Sequence, residues 1–411
     1  MSIWSLRLVR IWIFGFTLGL SFVFISPVVA QVEQTELRST AEYSYGQSMR
    51  FNLDARNVGD VNKITLYFRL GTSPDSYAVK VPFAPGNEIE ASYALDLTQT
   101  RLPPFGAITY WWELERADNS TLGAPAQVMN YVDDQFSWRQ IRVIDELGGG
   151  SVRIHWTGED ESLGEQARTI ALEMLPAIGR LLPLDYILPF DIYIYPSSAD
   201  LSAALRLAGR EYEVGQSYPD LGVVLVTVVN PRTADTELRQ ELSRGLVDLM
   251  LYQAVGQFAS RVPAWLTTGL SRVVEGQADP LLINSLNAAV ANGTTLPLPE
   301  FCVISTIDSD LAIAQSEALV AYIVEGYGEK SLRDLIIFFA DGADCPSAFQ
   351  TILSTSPEQM EPAYLLSIKQ SSDQPSSMTI LLWIGLIGAG FGLAALLVLR
   401  PGQQRSRRTK P

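Results

Sequence analysis

Arg239-Gln240-Glu241-Leu242-Ser243-Arg244, then Leu251-Tyr252-Gln253, then Pro263-Ala264-Trp265-Leu266-Thr267-Thr268-Gly269-Leu270 form the stretch of this 411-residue chain whose reading decides its fold. The pattern predicts one helix from Thr236 to about Val255 and a second from Trp265 to Glu275. Gln240 and Arg244 stand four apart, which puts both side chains on one face of the first helix. Glu275 follows Thr268 by seven residues and shares roughly its helical face. Before these helices runs an almost wholly apolar strand, Leu221 to Val229, which reads equally as a free sheet edge or a buried central strand.

Outward from that stretch the chain is mixed α and β. Leu163, Ala167, Ile170, Met174, Ile178 and Leu181 recur at helical spacing, with Pro176 expected to kink or shorten the helix. Asp191 to Tyr195 reads as a strand, and Ala278–Ala291, Ala312–Tyr327 and Leu332–Ala340 read as helices. Before about residue 140 short alternating runs dominate instead, with Met49, Phe51, Leu53 and Ala55 in one and Ile64, Leu66, Phe68 and Leu70 in another. Clusters such as Asn57-Val58-Gly59-Asp60 punctuate them, and Trp111 and Trp112 lie in a further strand. That pattern predicts an all-β sandwich of immunoglobulin or fibronectin type.

Both ends carry membrane signals. Arg7 and Arg10 precede an apolar run, and Val28-Val29-Ala30 supplies the small residues of a cleavage site, so residues 1–30 read as an export signal. Met378 to Leu399 holds no charge and is long enough to span a bilayer, while Arg400, Arg405, Arg407, Arg408 and Lys410 follow it. The expected arrangement is single-pass type I in the plasma membrane, with the ectodomain outside and the C-terminus cytoplasmic. Its parts are a signal (1–30), a β-sandwich (31–140), an α+β domain (141–369), a tether (370–377), a span (378–399) and a basic tail (400–411). Gly388 and Gly392 form a small-xxx-small pair that would suit weak homodimerisation.

The whole chain carries 30 basic and 45 acidic residues, net −15, with charged residues at 18% and apolar ones at 47%. Setting aside the signal and the tail leaves 23 basic against 45 acidic residues over 31–377, net −22. Such a surface disfavours nucleic acid, whose phosphates need clustered Lys and Arg. Cys302 and Cys345 are expected to pair in an exported chain. His155 is the one histidine, which excludes any site needing two imidazoles. It lies in the strand Val152–Trp156, far along the chain from the deciding stretch, and is read as structural. No Gly-x-Ser-x-Gly elbow is present, and Gly148-Gly149-Gly150 lacks the Lys-Ser/Thr sequel of a phosphate loop, so it is read as a turn. Ser–Lys chemistry at Lys330-Ser331 stays open.

The deciding stretch resembles the peptidase MA-like proteins of gluzincin type, in which the first element reads H-E-L-x-H and the second W-L-x-E-G-L. The likeness continues through Ile154-His155-Trp156, Tyr193-Ile194-Tyr195-Pro196, Gly215-Gln216-Ser217-Tyr218-Pro219-Asp220, Ala314-Gln315-Ser316 and Tyr327-Gly328. It covers roughly residues 130 to 365. The preceding domain, with Tyr131-Val132-Asp133-Asp134, also resembles what such exported proteins carry. The resemblance implies an α+β zincin domain behind the β-sandwich. It also implies zinc ligands at positions 240, 244 and 268, with a general base at Glu241.

Those ligand positions hold Gln240, Arg244 and Thr268, and only the base remains. Gln240 and Thr268 are weak neutral oxygen donors, and Arg244 is a permanent cation where a dication would sit. The resemblance therefore implies the fold and argues against the activity, with no cofactor expected. Arg244 would pair with Glu241 and fill the vacated space, or bind the carboxylate or carbonyl of a captured peptide, with Glu275 and Trp265 beside it. Three readings follow. The first is a noncatalytic surface pseudopeptidase that binds peptides or an envelope-protein partner, and the second is a structural envelope protein with a collapsed cleft. The third is a metallopeptidase holding zinc through unusual ligands.

Overall fold

The structure, a computed structural model, describes residues 34–71, 75–102, 104–144, 151–211, 217–228 and 234–373. The export signal, the span with Gly388 and Gly392, the basic tail and Gly148-Gly149-Gly150 lie outside the described residues.

The N-terminal region is built from β1 (Glu36–Ser44), β2 (Ser48–Arg56), β3 (Val61–Leu70), β4 (Tyr77–Lys80), β5 (Glu88–Asp96), β6 (Ala107–Arg116), β7 (Thr121–Gly123) and β8 (Gln127–Asn130). They form two antiparallel sheets, β1-β2-β5 and β4-β3-β6-β7 with β8 also on β6. The alternation in β2 and β3 does what its period requires. Met49, Phe51, Leu53 and Ala55 from one sheet and Ile64, Leu66 and Phe68 from the other are all buried, and Phe51 stacks on Phe68 at 5.5 Å. Of the two adjacent tryptophans, Trp112 is fully buried and bonds Ser39, whereas Trp111 stacks on Tyr67 at 5.3 Å.

The third sheet contains β9 (Arg139–Ile144), β10 (Ser151–Trp156), β11 (Phe190–Tyr195) and β12 (Val223–Thr227), in the order β12-β11-β10-β9. The last three in sequence are parallel and β9 is antiparallel. The architecture thus changes at Arg139, just before the boundary expected at 140. The helices are α1 (Ser162–Leu181), α2 (Ser198–Leu207), α3 (Ala234–Val255), α4 (Ala264–Glu275), α5 (Pro280–Asn292), α6 (Leu298–Phe301), α7 (Asp310–Ala340), α8 (Cys345–Ala348) and α9 (Pro357–Asp373). Cys302, at the end of α6, is bonded to Cys345 at the start of α8, with Cα atoms 5.9 Å apart.

Several details depart from expectation. α1 runs unbroken through Pro176, because that residue and Leu172, whose carbonyl loses its partner, both face solvent. The two helices expected at 312–327 and 332–340 are, by contrast, both present within α7, which breaks between them at the non-helical Gly328 (φ 87°, ψ 160°). α9 reaches Asp373, so residues 370–373 are helix and not tether.

The third sheet is covered on both faces, which explains its nearly continuous apolar strands. Ile192, Ile194, Val224 and Val226 enter the core under the helices. Tyr193, Tyr195 and Val223 enter a second core with the N-terminal sheets and α2. The β region is therefore packed into the same body and is not a detached spacer. Gly46, in the β1–β2 turn at φ +66°, sits so close to Leu207 of α2 that a Cβ would meet it at 2.8 Å. Tyr45 donates its hydroxyl to the Ala204 carbonyl, and Tyr195 donates to the buried Asp133 carboxylate at 3.2 Å. Burial pushes the Asp133 carboxyl up, against the bonds from Gln135 and Tyr195.

Because one core serves both regions, urea is expected to unfold them in a single transition. Asp133→Ala should lower stability by about 1–3 kcal/mol by orphaning the buried Tyr195 hydroxyl. Tryptophan fluorescence and far-UV dichroism test this together. Two separated midpoints would show that the shared core does not couple the regions.

Candidate functional site

The residues of the deciding stretch meet at a cavity of about 570 Å³ between α3 and α4, closed at one end by the starts of α5 and α7. α3 buries Leu238, Leu242, Leu246, Leu249 and Met250 in the core. Its other face, at spacings of three and four, presents Gln240, Ser243, Arg244 and Asp248 to the cavity. α4 buries Trp265, Leu266, Leu270 and Val274, and presents Thr267, Thr268, Ser271, Arg272 and Glu275. What fixes α4 is a close approach at Gly269, where a Cβ would collide with the Ser316 carbonyl and Val320 of α7. Asp279, Leu282, Ile307, Asp310 and Ile313 complete the lining.

Two arginine–carboxylate systems organise the charge. Arg244 donates to Glu241 at 3.3 Å, a part-exposed i, i+3 pair of small net worth. Glu241 does not line the cavity, so the group at the general-base position is turned toward Arg244. Deeper in, Arg272 donates to Glu275 at 2.5 Å and to Glu317 at 3.3 Å, with Arg272 and Glu275 both under a tenth exposed. Burial pushes the Glu275 carboxyl up, and the attraction of Arg272 does not offset it. Asp248 is likewise raised by burial, against a hydrogen bond from Ser217 and the charge of Arg244. Asp279 caps α5 by accepting from the Leu281 N–H, and Asp310 opens α7, so both carboxylates sit at helix N-termini.

Of the residues singled out in the sequence, Gln240, Arg244, Thr268 and Glu275 all line this cavity. Trp265 does not: it is fully buried with its ring 6.2 Å from that of Phe349, so it cannot touch a peptide. Sequence reading passed over Asp248, Arg272, Asp279 and Asp310. For the first two a signal existed, since Asp248 lies one turn beyond Arg244 and Arg272 one turn beyond Thr268.

Among the described residues β12 is one edge strand of the third sheet, with β9 at the other edge, although both faces of β12 are covered. His155 lies on β10 and does not line the cavity. Its Nε2 is 2.6 Å from Asp191 Oδ1, Arg153 makes two 2.7 Å bonds to the same carboxylate, and its ring stacks on Tyr193 at 4.4 Å. Burial alone would raise the Asp191 carboxyl, but the bonds from His155 and Arg153 outweigh it and hold it below the ordinary range.

The donor set does not fit the zinc that the resemblance implies. A guanidinium at 244 repels a dication, and an amide and a hydroxyl replace the other two ligands. Among the described residues no three His, Cys, Asp or Glu side chains are grouped to hold a metal ion.

Residues 180–369 match the model of the Peptidase MA superfamily. No curated protein matches the chain. Among solved structures, an M1 zinc metallopeptidase from Deinococcus radiodurans is similar at 11% identity, covering 81% of this chain and 92% of its own, with a TM-score of 0.33. An aminopeptidase N family protein from Idiomarina loihiensis is similar at 7% identity, covering 85% and 73%, with a TM-score of 0.30. Likeness at these scores says nothing about activity. The α3–α4 arrangement and the family match point the same way: residues 180–369 are similar to the Peptidase MA superfamily, consistent with a peptidase MA-like fold.

Proposed function

We propose that this chain is a noncatalytic pseudopeptidase, held outside the plasma membrane by residues 378–399, that binds a peptide or protein partner in the α3–α4 cavity. Its N-terminal sheets, of immunoglobulin or fibronectin type, brace the binding domain. The observation that carries the reading is Arg244: a permanent cation stands at a ligand position, ion-paired to the residue at the general-base position, beside an open cavity. That space also weighs against a collapsed cleft, because Arg244 and its neighbours leave about 570 Å³ between them. The cavity offers guanidinium groups to a peptide carboxylate or carbonyl and carboxylates to an amine.

Two measurements on the purified protein test the reading. After dialysis against trace zinc, elemental analysis should find less than about a tenth of an equivalent. Near-stoichiometric zinc that vanishes in Glu241→Ala or Glu275→Ala overturns the proposal. Peptides selected from a random library should lose at least about tenfold in affinity with Arg244→Ala, which removes a charge-assisted contact. Failure of the library to yield any binder dependent on Arg244 counts against a peptide site.

A further inference from the structure

A second cavity, of about 340 Å³, lies away from the first, between α5, α7 and α9. Its walls are mostly apolar, with Ile283 and Leu286 from α5, Ala318, Ala321 and Tyr322 from α7 and Ile368 from α9, and Asn287, Glu325 and Ser367 supply its polar lining. The helices that form it also carry large apolar side chains open to solvent, with Leu281 of α5 74% exposed, Leu366 of α9 about half exposed and the lining residue Ile283 about half exposed. A largely apolar groove on helices that also expose leucine and isoleucine marks an interaction surface.

Its place on the chain says what covers it. Ile368 is five residues from Asp373, the end of α9, which at helical rise is roughly 8 Å. Four residues, 374–377, then lead to Met378, a reach of at most about 17 Å, and there the uncharged stretch 378–399 begins. The groove thus lies within roughly 25 Å of the point where that stretch would enter a membrane. A second copy is disfavoured, because each ectodomain carries net −22 over residues 31–377. A neutral lipid surface carries no such repulsion.

We propose that the α5–α7–α9 groove seats the domain on the outer leaflet, with Leu281, Ile283 and Leu366 entering a zwitterionic lipid surface. The inference rests on the reading of 378–399 as a span. It deepens that reading by fixing which face of the domain meets the membrane and by leaving the α3–α4 cavity to a partner.

The test uses the full chain in phosphatidylcholine nanodiscs, spin-labelled at one introduced cysteine at a time. The two native cysteines are bonded to each other and do not take label. Leu281→Cys and Leu366→Cys probe the groove, Leu172→Cys on the exposed face of α1 serves as the aqueous reference, and Ala389→Cys probes the span. The expected ratio of oxygen to nickel-chelate collision rates at 281 and 366 is about tenfold above that at 172, as for side chains sunk below the headgroups. Aqueous values at 281 and 366 with a lipid value at 389 overturn the docking and leave the anchor standing. An aqueous value at 389 overturns the anchor and the docking with it. Dipolar broadening between copies at 281 without oxygen preference assigns the groove to a second copy and also overturns the proposal.

Discussion

The variant carrying Gln240→His, Arg244→His and Thr268→Glu is expected to bind about one equivalent of zinc tightly, where the natural chain retains next to none. The expectation rests on backbone already in place. Positions 240 and 244 lie one turn apart on the cavity face of α3, and 268 faces them from α4, held by the Gly269 contact with α7. Two imidazoles at that spacing and a facing carboxylate make a three-ligand site with a fourth position open. Removing Arg244 is the decisive change, since it withdraws a cation and frees Glu241. Zinc at about a thousand times its dissociation constant would then add roughly 4 kcal/mol to stability, seen as a rise in the unfolding midpoint that chelator reverses. If the triple variant folds and binds no zinc, α3 and α4 are not spaced as a gluzincin site requires. Restoring only the two histidines should give far weaker binding, because two neutral ligands do not offset dehydration of the ion.

How much of this was legible follows from which interactions are local. The alternation of β2 and β3 is a periodic property, so it located the buried face of the sheets, whereas Gln240, Arg244 and Thr268 were singled out by the family resemblance, with only the four-residue spacing of the first two to place them on one face of α3. Trp265 was misplaced because aromatic character does not say which side of a helix faces the core; its indole packs on Phe349, some eighty residues on. Asp279 and Asp310 belong to the cavity only because the starts of α5 and α7 close its end. The sharing of a core between the N-terminal sheets and β11 depends on tyrosines 193 and 195 pointing away from the helices. An alternating strand shows that both faces are used, but not what covers each. Pro176 misled for a related reason, since the cost of a lost helical bond depends on whether water reaches the orphaned carbonyl.

Arg272→Met is expected to destabilise the protein by about 3–5 kcal/mol near neutral pH, the cost of breaking a buried ion pair by removing one member. Glu275 would be left in place with 5% exposure and Glu317 nearby, so two carboxylates would face each other without their shared cation. The loss should shrink in acid. In the natural protein burial already holds the Glu275 carboxyl above its ordinary value, with Arg272 pulling the other way. A carboxyl whose pKa is raised on folding adds stability below its unfolded value, near 4.3, and loses it as pH climbs through the folded value. Without Arg272 the folded value rises further, so the variant's stability must fall more steeply between pH 5 and 8 than the natural protein's. Adding Glu275→Gln to the variant removes the titrating group, and should recover part of the loss at pH 8 and flatten the profile. Urea midpoints across that range decide it: a deficit that stays constant with pH would mean that Arg272 acts through packing of its stem and not through its charge.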